Sequence, residues 1–338
     1  MKRPLCMFTI LLALVPCLAA CTASDDAMIE VRLGEVTRSI FYAPQYVALT
    51  NGYFEDEGLQ VELRTTPGGD VTMTNLLSGA IDIALVGSET SVYVYQQGAQ
   101  DPVINFAQLT QSDGTFLMSR ERLEPFEWSM LKGQTFLGQR VGGMPQMAGE
   151  FVLKKHGIRP ADDLDLIQNV DFANIPSAYA SGTGDFVQLF EPTATMFERE
   201  GRGYVVASFG VESGRLPYTV FMTKRSYMDE NSQIVQKFTN AIHRAQLWVE
   251  QNSPEQIAEA VMPFFEDADP DVVVSVVQRY KDQQSYATDP FIDEEEWNHL
   301  LDIIEEAGEI EERVPHETLV DNTFAEEAVQ YWINREAP

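Results

Sequence analysis

Three predicted helices are each preceded by small residues, and such turns can bind a ligand through backbone N–H groups. They are Pro67–Asp70, Val86–Glu89 and Gly142–Pro145. The first N–H groups of a helix have no partner within the helix, and glycine leaves them accessible because it has no side chain. Glycine is common in turns, so each turn alone is weak evidence, but three together predict a polar cradle for a small ligand. The candidates from these turns are Gly68, Gly69, Gly87, Ser88, Gly143 and Met144.

Carboxylates and tyrosines stand near other predicted strand ends. Glu89, Asp113 and Glu191 are acidic. Tyr42 and Tyr218 carry rings that could stack on the faces of a flat ligand. Acids beside aromatic rings suit a nitrogen-rich ring that donates hydrogen bonds from an amino group, so we predict a ligand of this kind. The remaining candidates are Ser39, Gln45, Gln111 and Thr219.

Several of these residues also have structural explanations. Glu191 precedes Pro192 and could cap or brace a helix, while Asp113 could be a turn residue of a hinge. No Arg or Lys is among the candidates, yet Arg38 and Arg140 lie close to them in the sequence. A local site for an anion therefore stays open beside the amino-group hypothesis.

The usual signatures of catalysis and metal binding are missing from the sequence. The four histidines form no His-Glu-x-x-His motif, and there is no Gly-x-Ser-x-Gly turn and no phosphate-binding loop. The acidic run Asp293–Glu296 opens a predicted helix, where negative charge complements the helix dipole, so we interpret it as a solvated face. We therefore predict a non-enzymatic protein without a metal or a cofactor.

The N-terminus has the pattern of an export signal. Lys2 and Arg3 precede the apolar run Met7–Leu14, and small residues follow. The segment Leu18–Cys21 resembles a bacterial lipobox, in which Cys21 becomes the lipidated first residue of the mature chain. An ordinary cleaved signal is the alternative. We expect a lipid anchor on the extracytoplasmic face of the cell membrane.

Cysteine content and charge exclude further functions. All three cysteines lie at or before Cys21, so the mature domain can form no disulfide and use no thiolate. The formal net charge of −29 becomes −31 once Lys2 and Arg3 are removed with the signal. So acidic a chain lacks the basic surface that nucleic acids require, and we predict no nucleic-acid partner.

The mature chain alternates strand-like and helical segments, which predicts an α/β fold. In the first block, the predicted strands are residues 29–33, 60–63, 81–86 and 103–108. Helical segments separate them at residues 44–51, 71–77 and 88–96. The resulting order βαβαβαβ implies a parallel sheet with crossover helices.

A second block of the same kind follows, and the chain ends in helices. Its predicted strands are residues 140–142, 166–170, 186–190, 204–208 and 219–224. Beyond Ser226 the predicted helices are residues 233–250, 253–264, 270–282, 293–307 and 324–334. Two α/β blocks followed by helices suggest two lobes, the first of them completed by the C-terminal helices.

The predicted domain boundaries follow from these blocks. About 318 residues remain after the signal, which suggests two domains. The division is a lipoprotein signal peptide at residues 1–20, a linker at 21–27, the first part of lobe I at 28–112, lobe II at 113–218 and the second, mostly helical part of lobe I at 219–338.

Short motifs occur in a specific order along essentially the whole mature chain. They are Tyr42–Tyr46, Gly52–Phe54, Glu57–Leu59, Leu77–Ala84, Gly114–Leu117, Leu189–Pro192, Pro217–Thr219 and Pro315–Ala325. In order and spacing they resemble the substrate-binding proteins of ABC importers in the NMT1/THI5-like group, whose ligands are nitrate, sulfonates, taurine and thiamine pyrimidines. The lipobox fits the same role.

The resemblance implies a two-lobed periplasmic-binding-protein fold of type II, with hinges near Ser112–Thr115 and Pro217–Thr219. It implies that the cleft closes on a ligand and that an ABC permease with its ATPase is the partner. Within this group the carboxylates and tyrosines favour a small heteroaromatic nutrient, such as a thiamine pyrimidine precursor. A binder of sulfonate, taurine or nitrate is the alternative within the family. We expect a monomer that the lipid anchor keeps near the permease.

Two other classes remain as alternatives. The eukaryotic pyrimidine synthase of thiamine biosynthesis resembles the first lobe, but by family description it uses a Cys-rich iron site, a catalytic His and a pyridoxal-phosphate Lys. The mature chain has no Cys in its domain and no His before His156, which argues for binding without chemistry. A ligand-sensing lipoprotein that signals to a membrane receptor would share every feature above.

Overall fold

The computed structural model describes residues 28–336, in which ten strands form two sheets of five. The predicted signal peptide, the lipidation site Cys21 and the linker at 21–27 lie outside the described residues. The strands are β1 Ile29–Glu35, β2 Leu59–Thr65, β3 Ile83–Gly87, β4 Val103–Thr110, β5 Thr115–Ser119, β6 Thr135–Leu137, β7 Asp165–Ile167, β8 Phe186–Phe190, β9 Tyr204–Ser208 and β10 Thr219–Lys224.

Helices join the strands and cover the sheets. The α-helices are α1 Ala43–Thr50, α2 Tyr53–Asp56, α3 Gly69–Ser78, α4 Glu89–Gln96, α5 Met144–Lys155, α6 Pro160–Asp163, α7 Ile175–Ala180, α8 Thr193–Arg199, α9 Phe209–Ser213, α10 Arg225–Glu230, α11 Ser232–Gln251, α12 Pro254–Val261, α13 Pro270–Asp282, α14 Glu294–Glu306, α15 His316–Leu319 and α16 Thr323–Glu336. Short 3-10 helices are Ile40–Tyr42, Trp128–Leu131, Phe172–Asn174 and Met262–Phe264.

The first sheet has the strand order β2-β1-β3-β10-β4, and we call the part of the chain built on it the first lobe. In its parallel part, Leu33 of β1 pairs with Leu63 of β2 and Ile83 of β3. Strand β10 runs antiparallel to both of its neighbours. The four strands of the first predicted block therefore run in one direction, as their βαβ order implied, while β10 lies between β3 and β4 and runs back along both of them.

The second sheet has the order β7-β6-β8-β5-β9, and we call the part built on it the second lobe. It is also mixed, since β5 runs antiparallel to β8 and β9. The strand predicted at residues 140–142 is wrong, and β6 at Thr135–Leu137 takes that place in the sheet. Residues 141–142 form a turn instead, because Gly142 has a φ of 93°, which lies outside the strand region, and Val141 is 58% exposed.

Helix α11 shows why the C-terminal part of the chain packs on the first lobe. Its apolar residues recur every three or four positions, which places them on one face. Those buried on this face include Val235, Phe238, Ile242, Ala245 and Val249. The ring of Phe238 lies 4.9 Å from that of Phe54 and 5.0 Å from that of Phe221, so α11 joins α2 and β10 in one core.

Two of the C-terminal helices contact both lobes. Helix α13 packs on α12 and on the 3-10 helix Ile40–Tyr42 of the first lobe, and also on α8 of the second lobe. Helix α14 packs on α5 of the second lobe and on α15. These helices therefore extend across the junction between the two sheets.

The chain passes between the sheets twice, at residues 111–114 and 209–218. A third segment, residues 283–287, runs beside both passages. The backbone N–H of Ala287 donates to Leu109, and that of Gln111 donates to Ser285, at 3.0 and 2.9 Å. The carbonyl of Gln111 accepts from Leu216 at 3.1 Å, so three segments cross the junction together.

Candidate ligand-binding cleft

The end of β1 and the start of α1 form one wall of the junction between the lobes. Glu35 is fully buried and accepts hydrogen bonds from Nε2 of Gln45 at 2.9 Å and from the Tyr46 hydroxyl at 2.7 Å. Arg38 donates to the same carboxylate at 2.7 Å. The predicted ligand residue Gln45 is thus held by Glu35, although its Oε1 has no hydrogen-bond partner. The sequence analysis did not single out Glu35. It could have been found as an acidic residue at the end of a predicted strand.

Four aromatic residues, Phe41, Tyr42, Tyr218 and Tyr280, form what we call the aromatic cluster. Ser39, a predicted site residue, lies just before Phe41 in the sequence. Its side chain accepts a hydrogen bond from the Phe41 N–H at 3.2 Å and so caps the 3-10 helix before α1. The Phe41 ring centroid lies 5.8 Å from that of Tyr42, 5.7 Å from that of Tyr218 and 5.0 Å from that of Tyr280. All four side chains are buried, so aromatic surface fills the junction.

Phe41 also reaches the second lobe. Its ring centroid lies 6.2 Å from that of Phe190 at the end of β8. A methyl group added to Gly114 would come within 2.9 Å of the Phe41 ring, so the first passage needs glycine there. Phe41 therefore packs between the first passage and β8, while Tyr42 lies beside the acidic residues described next.

Glu89 stands between two helix N-termini at the centre of the junction. Its side chain folds over Gly87, where a methyl group would collide with the carboxylate. Burial raises the pKa of Glu89 to about 7, and the backbone N–H groups of Glu89 and Met144 oppose that rise because they stabilise the charged form. Met144 begins α5, so the carboxylate bridges the two lobes. Its Oε2 has no hydrogen-bond partner.

Asp113 lies in the first passage between the sheets. Its Oδ1 accepts hydrogen bonds from the N–H of Thr115 at 2.6 Å and from the Thr115 hydroxyl. These bonds are those of a turn residue, which was the structural alternative that the sequence offered for Asp113. Its Oδ2 has no hydrogen-bond partner, and burial raises the pKa of Asp113 to about 6. The Tyr218 hydroxyl lies near this carboxylate and also has no hydrogen-bond partner. Burial, and then the charge of Asp113, raises the pKa of Tyr218 well above its usual value.

Three further candidates hold the passages together. Ser88 donates a hydrogen bond to the Pro217 carbonyl. Thr219 accepts from the Thr110 hydroxyl at 2.8 Å. Gln111 donates to the Gln284 carbonyl and accepts from Arg215, both at 2.8 Å. The side chains of Ser88, Thr219 and Gln111 thus form hydrogen bonds with other parts of the protein. These bonds are enough to explain why the three residues lie in the junction.

Glu191 is engaged in the same way at the start of α8. It accepts from the N–H and the hydroxyl of Thr195, both at 2.9 Å, and from Arg279 at 2.7 Å. Burial raises the pKa of Glu191, and Arg279 opposes that rise. Both carboxylate oxygens of Glu191 are therefore hydrogen-bonded within the protein. This agrees with the structural alternative that the sequence offered, in which Glu191 braces a helix.

The remaining glycine turns differ in how close they come to Glu89. Gly143 caps α5 and is half-buried, and the buried Met144 follows it directly. Gly68 is exposed at the N-terminus of α3, and Gly69 packs toward Thr90 of α4. Of these two turns, the one before α5 brings a backbone N–H group, that of Met144, to the Glu89 carboxylate, and the one before α3 does not.

We call Tyr42, Glu89, Asp113 and Tyr218 the acid–tyrosine site. Burial contributes most to the raised pKa of Tyr218, and Asp113, Glu89 and Tyr42 lie close enough to raise it further, so the four residues form one group. No Arg or Lys in the described chain is among the groups that shift the pKa of any of the four. Arg38 is bound to Glu35, and Arg140 is exposed at the turn after β6.

Two mixed sheets, each covered by helices and joined by paired passages beside a buried polar site, define a periplasmic-binding-protein fold of type II, which confirms the predicted fold class. Residues 29–262 match the NMT1-like family. This chain belongs to the NMT1-like family, as its motifs indicated.

Two curated relatives extend over most of the chain. The "Putative binding protein YtlA" of Bacillus subtilis (strain 168) is 57% identical over 309 residues, which are 91% of this chain and 92% of that protein. The formylaminopyrimidine-binding protein of Halalkalibacterium halodurans is 26% identical over 262 residues, which are 71% of this chain and 73% of that protein.

A solved structure has the same fold at low sequence identity. It is described as a putative sulfonate ABC transporter, periplasmic sulfonate-binding protein SsuA, from Methylobacillus flagellatus KT. The TM-score is 0.69 at 17% identity, and the match covers 92% of this chain and 96% of that one. Within residues 28–336, no helix is long and apolar enough to cross a membrane, and no group of acids and histidines is arranged to hold a metal ion.

Proposed function

We propose that the protein is the extracytoplasmic solute-binding component of an ABC importer. Its cleft closes on a small heteroaromatic nutrient that donates hydrogen bonds from amino or ring nitrogens, such as a thiamine pyrimidine precursor. The protein binds this ligand without chemical change and delivers it to a membrane permease with its ATPase. Lipidation at Cys21 would keep a monomeric protein close to that permease.

One observation carries the choice of ligand. Glu89 and Asp113 each keep a carboxylate oxygen without a partner while being almost completely buried. A buried polar atom without a hydrogen bond costs on the order of 1–3 kcal/mol, so a ligand that donates to both oxygens recovers that energy on binding. Tyr42 and Tyr218 belong to the same buried site, and stacking on their rings would suit a flat ligand ring that carries an amino group.

Two of the similar proteins bear on the choice of ligand, and their names point to different ligands. The relative from Halalkalibacterium halodurans is named for binding a formylaminopyrimidine, a ring of the proposed kind. The structure from Methylobacillus flagellatus is named for sulfonate binding, which keeps an anion as the second candidate, because helix N-termini also suit anions. The absence of a cation around the acid–tyrosine site favours the aminopyrimidine.

A calorimetric screen of the purified protein tests the proposal. Its ligands would be formylaminopyrimidine, two other aminopyrimidines, taurine, methanesulfonate and nitrate. We expect binding of an aminopyrimidine and no heat from the anions. Binding of anions alone would contradict the carboxylate argument. Recovery of the ligand unchanged after incubation would separate a binding protein from an enzyme of the pyrimidine-synthase type.

Transport and sensing differ in what they require of the membrane partner. A transport role predicts that cells lacking the protein take up less of the labelled ligand, and that the protein co-purifies with a permease. A sensing lipoprotein would leave uptake unchanged when it is deleted.

A Cys21→Ser variant should lose the lipid and move to the soluble fraction, whereas unchanged membrane fractionation would contradict the anchor.

A further inference from the structure

Glu89 lies where the anionic group of a ligand would otherwise bind. The N-termini of α4 and α5 converge on its carboxylate, since the N–H groups of Glu89 and Met144 both face it. Such N–H groups, together with the helix dipoles, form a ready site for an anion. Here the first lobe supplies the anion itself, as a side chain presented to a helix of the second lobe.

Among the described residues, the groups that interact electrostatically with Glu89 include no cation that would neutralise a second anion. Only 6% of the residue is exposed, and its Oε2 is unpartnered. The titratable groups that face it are the hydroxyls of Tyr42, Tyr93 and Tyr218, which come from the turn before α1, from α4 and from the second passage. None of these is a cation, and Asp113 adds a second negative charge beside Tyr218.

Building on the proposed function, we infer that Glu89 is a specificity-determining residue. Its carboxylate occupies the anion position between α4 and α5, so that the cleft rejects anionic ligands and selects ligands that present N–H donors. The free Oε2 accepts a hydrogen bond from such a donor, whereas a sulfonate at the same place would meet a like charge in a buried setting.

Removing the Glu89 charge should open the anion position. The test measures binding of methanesulfonate to the wild type, Glu89→Gln and Glu89→Ala by calorimetry at pH 8. We expect both variants to bind methanesulfonate at least about tenfold more tightly than the wild type, because a buried like charge disfavours an anion strongly. Asp70→Ala is the matched control, since it removes one exposed acid from the first turn of α3 and should leave methanesulfonate binding unchanged.

The pH dependence of the wild type supplies a second measurement that needs no variant. Because burial places the pKa of Glu89 at about 7, acidification from pH 8 to pH 6 neutralises the carboxylate, and methanesulfonate should bind more tightly at pH 6. Glu89→Gln should lose this dependence. A wild type whose methanesulfonate affinity does not rise at pH 6 would count against the inference even if the variants fail to fold.

Two results overturn the role of Glu89. One is a pair of folded variants, judged by circular dichroism and melting temperature, that bind methanesulfonate no better than the wild type. The other is a wild type whose methanesulfonate affinity is the same at pH 6 as at pH 8. If the variants gain the anion but the wild type binds no aminopyrimidine, the proposed ligand is wrong and the role of Glu89 stands.

Discussion

At the scale of single residues, buried carboxylates make the stability of the ligand-free protein depend on pH. Burial raises the pKa of Glu89 to about 7, against an ordinary value of about 4.3 in an unfolded chain. Between these values the folded protein binds a proton that the unfolded chain has lost. Stability therefore falls as pH rises through this window, and Asp113, with its pKa of about 6, acts in the same direction.

Glu89→Gln should therefore stabilise the ligand-free protein more at pH 8 than at pH 5. The difference between the two pH values should be on the order of 3 kcal/mol at most, because each unit of pKa corresponds to about 1.4 kcal/mol. Urea unfolding at both pH values measures it, and the contribution of Asp113 cancels because both proteins contain it. A stability difference that is the same at pH 5 and pH 8 would contradict the buried, charge-disfavouring environment.

Tyr42 and Tyr46 should respond differently to removal of their rings. Tyr46 donates to Glu35 and its ring centroid stacks 4.8 Å from that of Phe264, so Tyr46→Ala should cost about 3–5 kcal/mol of unfolding free energy. Tyr42 belongs to the acid–tyrosine site, so Tyr42→Ala should weaken ligand binding with a smaller loss of ligand-free stability. Melting temperature and calorimetry measure the two effects. Equal destabilisation by both substitutions would place Tyr42 in the structural core.

At the scale of elements, the assignment of Glu191 can be decided by one substitution. Its two oxygens brace α8 through Thr195 and connect α8 to α13 through Arg279. Glu191→Gln should cost about 1–3 kcal/mol in stability, because Arg279 loses its buried partner, and should leave ligand affinity near the wild-type value. Loss of affinity at unchanged stability would instead make Glu191 a ligand contact.

Elements with a local sequence signal were predictable, and elements defined by distant pairing were not. Strands β8, β9 and β10 were predicted to the residue, because each is an apolar or β-branched run. The direction of β10 was not, since its partners β3 and β4 lie far away in the sequence. The segment at residues 283–287 was missed because its pairing with the first passage leaves no periodic pattern.

The candidate site was predictable to a similar degree. Tyr42, Glu89, Asp113 and Tyr218 were found from their places at strand ends and come together in the structure. Ser88, Gln111 and Thr219 were found by the same rule, yet their side chains bind other parts of the protein. Position along a strand indicates which residues reach the junction, whereas the partner of each polar atom depends on packing between segments far apart in the sequence.

At the scale of the whole molecule, the relative position of the lobes depends on contacts that join the two passages to the C-terminal helices. Arg215 in the second passage donates to Glu296 of α14 at 2.6 Å and to Gln111 of the first passage at 2.8 Å. Helix α14 packs in turn on α5 of the second lobe. One guanidinium thus connects both passages to a helix that contacts the second lobe.

Arg215→Met should therefore loosen the junction as well as lower stability. The loss should be about 1–3 kcal/mol, because Glu296 is largely buried and would lose its hydrogen-bonded cationic partner. The ligand-free protein should also sample more open arrangements, visible as a larger radius of gyration in small-angle X-ray scattering. Arg313→Met is the matched control, since its pairs with Asp302 and Glu305 are exposed and should contribute less than about 1 kcal/mol. If both substitutions have the same effect on stability and radius, Arg215 does not set the relative position of the lobes.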